Sequence, residues 1–139
     1  MNKILFITVN YRNTEITENF IQSFENLESK ENASIVIIDN DSTKESKDSL
    51  KNISKKSKLD IRLVFCSNNL YYWGGANYVL KKLNLDIDNF PDWIIICNND
   101  IIFNKIDFIV KLQNIKSNNY AVLAPSIIST KSKKNQNPH

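Results

Sequence analysis

Glycine is nearly missing: Gly74 and Gly75 are the only two in 139 residues. GxGxxG and GxxxxGK[ST] both need glycines at spacings that this pair cannot supply. A dinucleotide fingerprint and the usual phosphate-cradling loop are therefore excluded, and any nucleotide must be held in another way. Cysteine is equally sparse. Cys66 and Cys97 stand far apart with no CxxC and no neighbouring histidine, so no zinc or thiol-redox motif is present. Each ends an apolar run, where a buried free thiol is common. The single histidine, His139, is the last residue and a poor candidate for acid–base work. No apolar run approaches the ~18 residues of a membrane span. Ile4–Val9 is too short for a signal-peptide core and is followed by no small-residue cleavage site. The expected location is cytoplasmic, with peripheral attachment at the inner face of a membrane left open. The net charge is only +3. The lysines are spread over 44–58, 81–82 and 131–134 without interleaved stacking aromatics, so solvated helix faces and a basic tail explain them better than a nucleic-acid surface.

What is present fits one soluble domain with a proper core: 42% hydrophobic and 24% charged residues in a chain of this length. Short runs rich in Ile, Val and Phe predict strands at Ile4–Val9, Ser34–Asp39, Ile61–Cys66, Trp93–Cys97 and Ala121–Ala124. They are nearly continuous rather than alternating, as a parallel sheet covered on both faces requires. Between the first two, Ile16, Phe20, Phe24 and Leu27 make one apolar stripe on a helix entered from Asn13 or Thr14. Ala76, Val79, Leu80 and Leu83 mark a third helix, and Ile106, Ile109, Val110 and Gln113 a fourth. The second, about Thr43–Ser57, offers only Leu50 and Ile53 to a core, but Ser42-Thr43-Lys44-Glu45 fits a capping box at its start. Asn89-Phe90-Pro91-Asp92 reads as a turn into the fourth strand. Strand and helix alternating four times before a fifth strand predicts an open, doubly wound, mostly parallel α/β sheet. Residues 1–128 form this unit, and 129–139 are expected to be a loose polar tail.

Right-handed crossovers bring every strand's carboxyl end to one edge, where ligands bind in such sheets. Polar clusters follow each of the first four strands: Asn10-Tyr11-Arg12-Asn13, Asp39-Asn40-Asp41-Ser42, the stretch Ser67–Asn77, and Asn98-Asn99-Asp100. Taken in order, "ITVNYRN", "IVIIDNDSTKES", "NNLYYWGGAN" and "WIIICNNDI" resemble the nucleotide-sugar-binding half of family 2 glycosyltransferases of the GT-A fold. The nearest pattern is that of rhamnosyltransferase-like members used in bacterial surface polysaccharide assembly. "AVLAPSII" resembles the strand after that family's metal motif.

Asp39 follows four apolar residues, so its carboxylate is half buried and needs partners to stay ionised. Backbone N–H groups of the next turn are one such partner set; the resemblance implies instead a hydrogen bond from a pyrimidine base. Asp41 and Ser42 both suit the N-cap of the second helix. Val9, Asn10 and Tyr11 are expected beside the base, Asn10 as an amide partner and Tyr11 as a stacking ring, although Tyr11 could equally pack on the first helix. Asn98-Asn99-Asp100 resembles a variant of the family's Asp-x-Asp motif, with Asn98 where the first Asp would stand. Asp100 is then the metal ligand and Mg²⁺ or Mn²⁺ the cofactor, neutralising a diphosphate with few protein groups. Read alone, the same residues are a polar turn. Asn68, Gly74, Gly75 and Asn77 correspond to the family's glycine-rich loop and helix start, where backbone can approach phosphate. Here the chain departs from the pattern: Tyr71 stands where glycine is usual, and Trp73 and Ala76 replace a small residue and an asparagine.

The resemblance implies an inverting, metal-dependent glycosyltransferase of hexosyltransferase type. It would take a UDP- or dTDP-sugar to a glycan or lipid-linked acceptor. The family's base is an Asp or Glu in the acceptor-binding half, yet no carboxylate follows Asp107. The chain is therefore expected to be the donor-binding part, without a catalytic residue of its own. The alternative is a non-catalytic nucleotide-binding or scaffold module with a protein partner, which the bulky Tyr71-Tyr72-Trp73 stretch would suit. A response-regulator-like domain fits less well, because Asn10-Tyr11 does not supply the acidic cluster that type carries after its first strand.

Overall fold

The structure, a computed structural model, describes residues 3–40, 42–83, 90–115 and 122–136. Strands β1 (Ile4–Asn10), β2 (Ala33–Asn40), β3 (Asp60–Cys66) and β4 (Trp93–Asn98) form one sheet in the order β3-β2-β1-β4. All its pairings are parallel. Helices α1 (Thr14–Glu25), α2 (Lys44–Lys56), α3 (Tyr71–Lys82) and α4 (Phe108–Asn114) accompany the strands.

The central strands β1 and β2 are buried along almost their whole length, as near-continuous apolar runs demand when helices cover both faces. Because successive side chains point to opposite faces, each strand feeds two cores. Phe6, Ile35, Ile37 and Cys97 join Phe20 and Phe24 of α1 in one. Leu5, Ile7, Val36 and Ile38 join Ala76 and Val79 of α3 in the other. The α1 side is aromatic: Phe6 meets Phe24 edge-to-face at 4.8 Å, and Phe103 closes over both at 5.9 and 5.5 Å. Such pairs add about 0.5–1.5 kcal/mol each beyond the area they bury. β3 and β4 are the outer strands of the described sheet, and the exposed Asp60 and Arg62 of β3 fit that place.

Helix starts differ in how well local chemistry announces them. Asn13 caps α1, its Oδ1 accepting the Ile16 N–H at 3.3 Å. The capping box expected at Ser42–Glu45 is displaced by one residue. Thr43 is the N-cap of α2, accepting from Ser46 N–H at 3.3 Å, and the Ser42 side chain is drawn inward to other partners. Asp41 lies outside the described residues. The turn expected at 89–92 is described only from Phe90 onward, and β4 begins directly after Asp92.

Two expectations fail. The stretch from Tyr71 to Gly75 is not a loop before a helix but the first turn of α3 itself. Tyr71 makes this possible by taking a left-handed backbone, φ 56°, while neither glycine has positive φ. The expected fifth strand is not found either. Val122–Ala124 pair with nothing in the described part of the sheet, and Val122 is 82% exposed; Ala121 lies outside the described residues. A run this short, ended by Pro125, has too little apolar surface to dock as a strand and loses the donor that would extend it. Downstream, Ile128 bridges Asn135 antiparallel across a tight turn in which Lys133 takes φ 58°.

Candidate functional site

The strands step from β1 to β3 in one direction, and β4 returns to the far side of β1, so the order reverses between β1 and β4. Ligands in open α/β sheets bind outside the carboxyl ends at such a point. The register aligns those ends: Asn10 lies opposite Asp39, and Val9 opposite Asn98.

On the α1 face this edge carries a buried polar cluster. Asn10, at 0% exposure, donates from Nδ2 to Asp39 Oδ1 at 2.8 Å and more weakly to Ser42 Oγ at 3.4 Å. Ser42 Oγ also accepts the Arg12 N–H at 3.1 Å, tying the loop after β1 to the turn after β2. Thr17 of α1 donates to Asn10 Oδ1 at 2.9 Å and accepts from Asn99 Nδ2 at 2.9 Å. The backbone N–H groups expected to satisfy Asp39 are thus replaced, for one oxygen, by the Asn10 side chain. Its other oxygen, Oδ2, is buried and has no partner among the described residues. A buried acceptor left open is costly, on the order of 1–3 kcal/mol, unless a ligand or water meets it.

On the α3 face the edge is simpler. Asn40 is buried and donates from Nδ2 to the Tyr71 carbonyl at 3.1 Å, while Asn69 Oδ1 accepts the Tyr71 N–H at 2.8 Å. Tyr71 is therefore held on both sides in a backbone region that costs an L-residue roughly 1–2 kcal/mol. Glycine would take the same backbone without that cost. A Cβ on Gly75 would lie 3.4 Å from Val9 and 3.6 Å from Ile38, ordinary contact distances, so α3 packs on β1 and β2 here without requiring glycine. The Tyr72 phenol is pushed up to about 12, first by burial and then by the nearby Cys97. The Cys97 thiol, buried beneath the edge, is likewise pushed up to about 12 by burial, which disfavours the thiolate.

The expected site residues are therefore not all gathered. Asn10 and Asp39 are in contact, and Tyr11 follows them, 46% exposed with the Arg12 guanidinium 4.9 Å from its ring centroid rather than packed on α1. Val9 packs under Gly75, and Asn98 and Asp100 are exposed at the end of β4. Asn68 and Asn77 are exposed and make no hydrogen bond with this cluster among the described residues; Asn69 organises the start of α3 instead. Sequence patterns alone do not single out Thr17, Asn40 or Asn99. A signal for Thr17 exists all the same: it precedes Phe20 by three and Phe24 by seven, so it lies on the buried stripe of α1 as its polar member.

Two cavities of about 140 Å³ open on the protein. One lies between α1 and the β4 end, lined by Asn19, Phe20, Asn99, Asp100 and Ile102. The other lies at the opposite, amino end of the strands, beside Lys3, Ser34, Asp60 and Arg62. Neither reaches the ~300 Å³ of a typical small-molecule pocket. The polar cluster and the strand reversal favour the first.

This is an open, doubly wound α/β sheet with polar groups at its switch point, and likeness to known proteins gives the family. The profile of glycosyl transferase family 2 matches residues 5–139, and the chain belongs to that family. No curated protein matches it in sequence. Among solved structures it is similar to the mannosyltransferase PcManGT from Pyrobaculum calidifontis, in complex with GDP-Man and Mn²⁺. The TM-score is 0.64 at 14% identity, covering 76% of this chain and 29% of that one. It is similar also to S. aureus TarS over residues 1–349, with a TM-score of 0.63 at 15% identity, covering 80% of this chain and 31% of that one. These likenesses establish the GT-A glycosyltransferase fold, and the chain spans under a third of either structure's length.

For a divalent metal, the donor chemistry at the β4 end is limited. Asp100 is an exposed carboxylate, Asn98 is an exposed amide, and the amide nitrogen of Asn99 is committed to Thr17. No group of three or more His, Cys, Asp or Glu converges among the described residues. That set fits an Mg²⁺ or Mn²⁺ ion held mainly by diphosphate and water, with one protein carboxylate.

Proposed function

We propose that the chain binds the nucleotide of a UDP- or dTDP-sugar at the carboxyl edge of β1, β2 and β4. On this reading it supplies the donor half of an inverting hexosyl transfer to a glycan or lipid-linked acceptor in cell-surface polysaccharide synthesis. The observation that carries the reading is the buried Asn10–Asp39 pair with Asp39 Oδ2 left open. An imide N–H, as in uracil or thymine, is a donor suited to that oxygen, and the exposed Tyr11 ring is a face on which a base can stack. Asp100 and Asn98 would receive the diphosphate with its metal, which when bound neutralises the leaving group's charge. The first turn of α3, where Asn69 takes the Tyr71 N–H and Leu70 gives no side-chain cap, is a helix N-terminus that favours phosphate. Val9 and Gly75 lie where that turn packs on β1; Gly74, Asn68 and Asn77 border the same edge without contacting the pair. The proposed place of work is the cytoplasm, at the inner surface of a membrane; no helix among the described residues is long and apolar enough to cross one.

A thermal-shift series with UDP, dTDP, GDP and CDP, with and without Mn²⁺, tests the proposal. UDP or dTDP at 100 times its Kd stabilises by roughly 2.7 kcal/mol, and Asp100→Ala removes the Mn²⁺ dependence. Indifference to all four nucleotides would sink it. The scaffold alternative draws on Tyr71 and Trp73, 79% and 70% exposed, and that same indifference is the result it expects.

A further inference from the structure

We propose that Thr17 is a positioning residue that couples the base pocket to the turn carrying Asp100. Its hydroxyl stands in the middle of a continuous path of hydrogen bonds: Asn99 Nδ2 to Thr17 Oγ1 at 2.9 Å, Thr17 Oγ1 to Asn10 Oδ1 at 2.9 Å, and Asn10 Nδ2 to Asp39 Oδ1 at 2.8 Å. Each step uses its donor in one sense. Thr17 has one O–H, and Asn10 Oδ1 at 2.9 Å is a much closer acceptor than the Asn13 carbonyl at 3.5 Å. Asn99 therefore donates to Thr17, and Asn10, with its oxygen already accepting, presents its NH₂ to Asp39. The path thus fixes the flip state of both amides. The second carboxylate oxygen of Asp39, Oδ2, is left without a partner among the described residues. Thr17 and Asn10 are both 0% exposed, so water cannot readily replace either, and the turn after β4 is held to Asp39 through the body of α1.

The inference rests on the nucleotide-site reading above, and uridine tests it separately from that reading. Uridine carries no phosphate for the Asp100 turn to hold, so the buried path is the main route by which a change at Asn99 reaches its base. Binding of uridine and of UDP, both in EDTA, is measured by NMR titration for the wild type, Thr17→Val, Thr17→Ser, Asn99→Ala and the double variant. Thr17→Val should weaken uridine about tenfold, within the usual range for coupled sites, and Thr17→Ser should restore it. Asn99→Ala should weaken uridine several-fold, and the double variant should be no weaker than Thr17→Val alone. Unchanged uridine affinity in Asn99→Ala, or additive losses in the double variant, overturns the coupling while leaving the nucleotide site standing. Failure of the wild type to bind either uridine or UDP overturns both. If Thr17→Val does not fold, Asn99→Ala, on a half-exposed turn, still decides the matter.

Discussion

On the face covered by α1, the carboxyl edge ends in side chains that hold one another: Asn10, Thr17, Asp39, Ser42 and Asn99. On the face covered by α3, it ends in a backbone carbonyl held by Asn40 and two exposed aromatic rings, Tyr71 and Trp73. The first arrangement is preorganised and buried, as the proposed recognition of a planar base requires. The second is open and locally strained, which suits the variable part of a ligand. The difference follows from the pleat: Asn10 and Asp39 point to α1, while Asn40 points to α3.

The contrast can be broken at several points, in falling order of effect. Phe24→Ala removes the aromatic that Phe6 and Phe103 share and should cost about 3–5 kcal/mol in denaturant unfolding; a loss below ~1 would show that the α1 core does not carry the fold. Asn10→Ala strands buried groups on both Asp39 and Thr17 and should cost roughly 1–3 kcal/mol, along with nucleotide binding; equal nucleotide affinity would remove the base pocket from this edge. Tyr71→Gly relieves the left-handed strain and should stabilise by about 1 kcal/mol after the entropy cost of glycine, visible as a higher Tm; destabilisation would mean the ring packs on something it protects. Asp100→Ala, at an exposed turn, should change stability by no more than ~0.5 kcal/mol while altering the response to Mn²⁺.

Much of this architecture is legible in the sequence. β1 and β2 are readable because burial on both faces writes long apolar runs, and the polar clusters after them mark where those runs stop. The Asn10–Asp39 contact is not readable, since register between strands is set by packing and not by either strand alone. The start of α3 escapes the sequence pattern because its first residue, Tyr71, is one that rarely adopts positive φ, and the turn forms only with Asn40 and Asn69 to hold it. The capping box slips by one residue because Ser42 has a better use in the buried cluster. Thr17 reads as an ordinary helix residue, although its place on the apolar stripe marks it as a buried polar group.

The central claim is that the ligand edge lies at the carboxyl ends of β1, β2 and β4. The most direct test is a UDP titration followed by backbone amide shifts, with Mn²⁺ replaced by diamagnetic Mg²⁺. Shifts concentrated at Asn10, Tyr11, Asp39 and Asn98–Asp100 are predicted; shifts concentrated at Lys3, Ser34, Asp60 and Arg62, around the cavity at the amino ends, would contradict it.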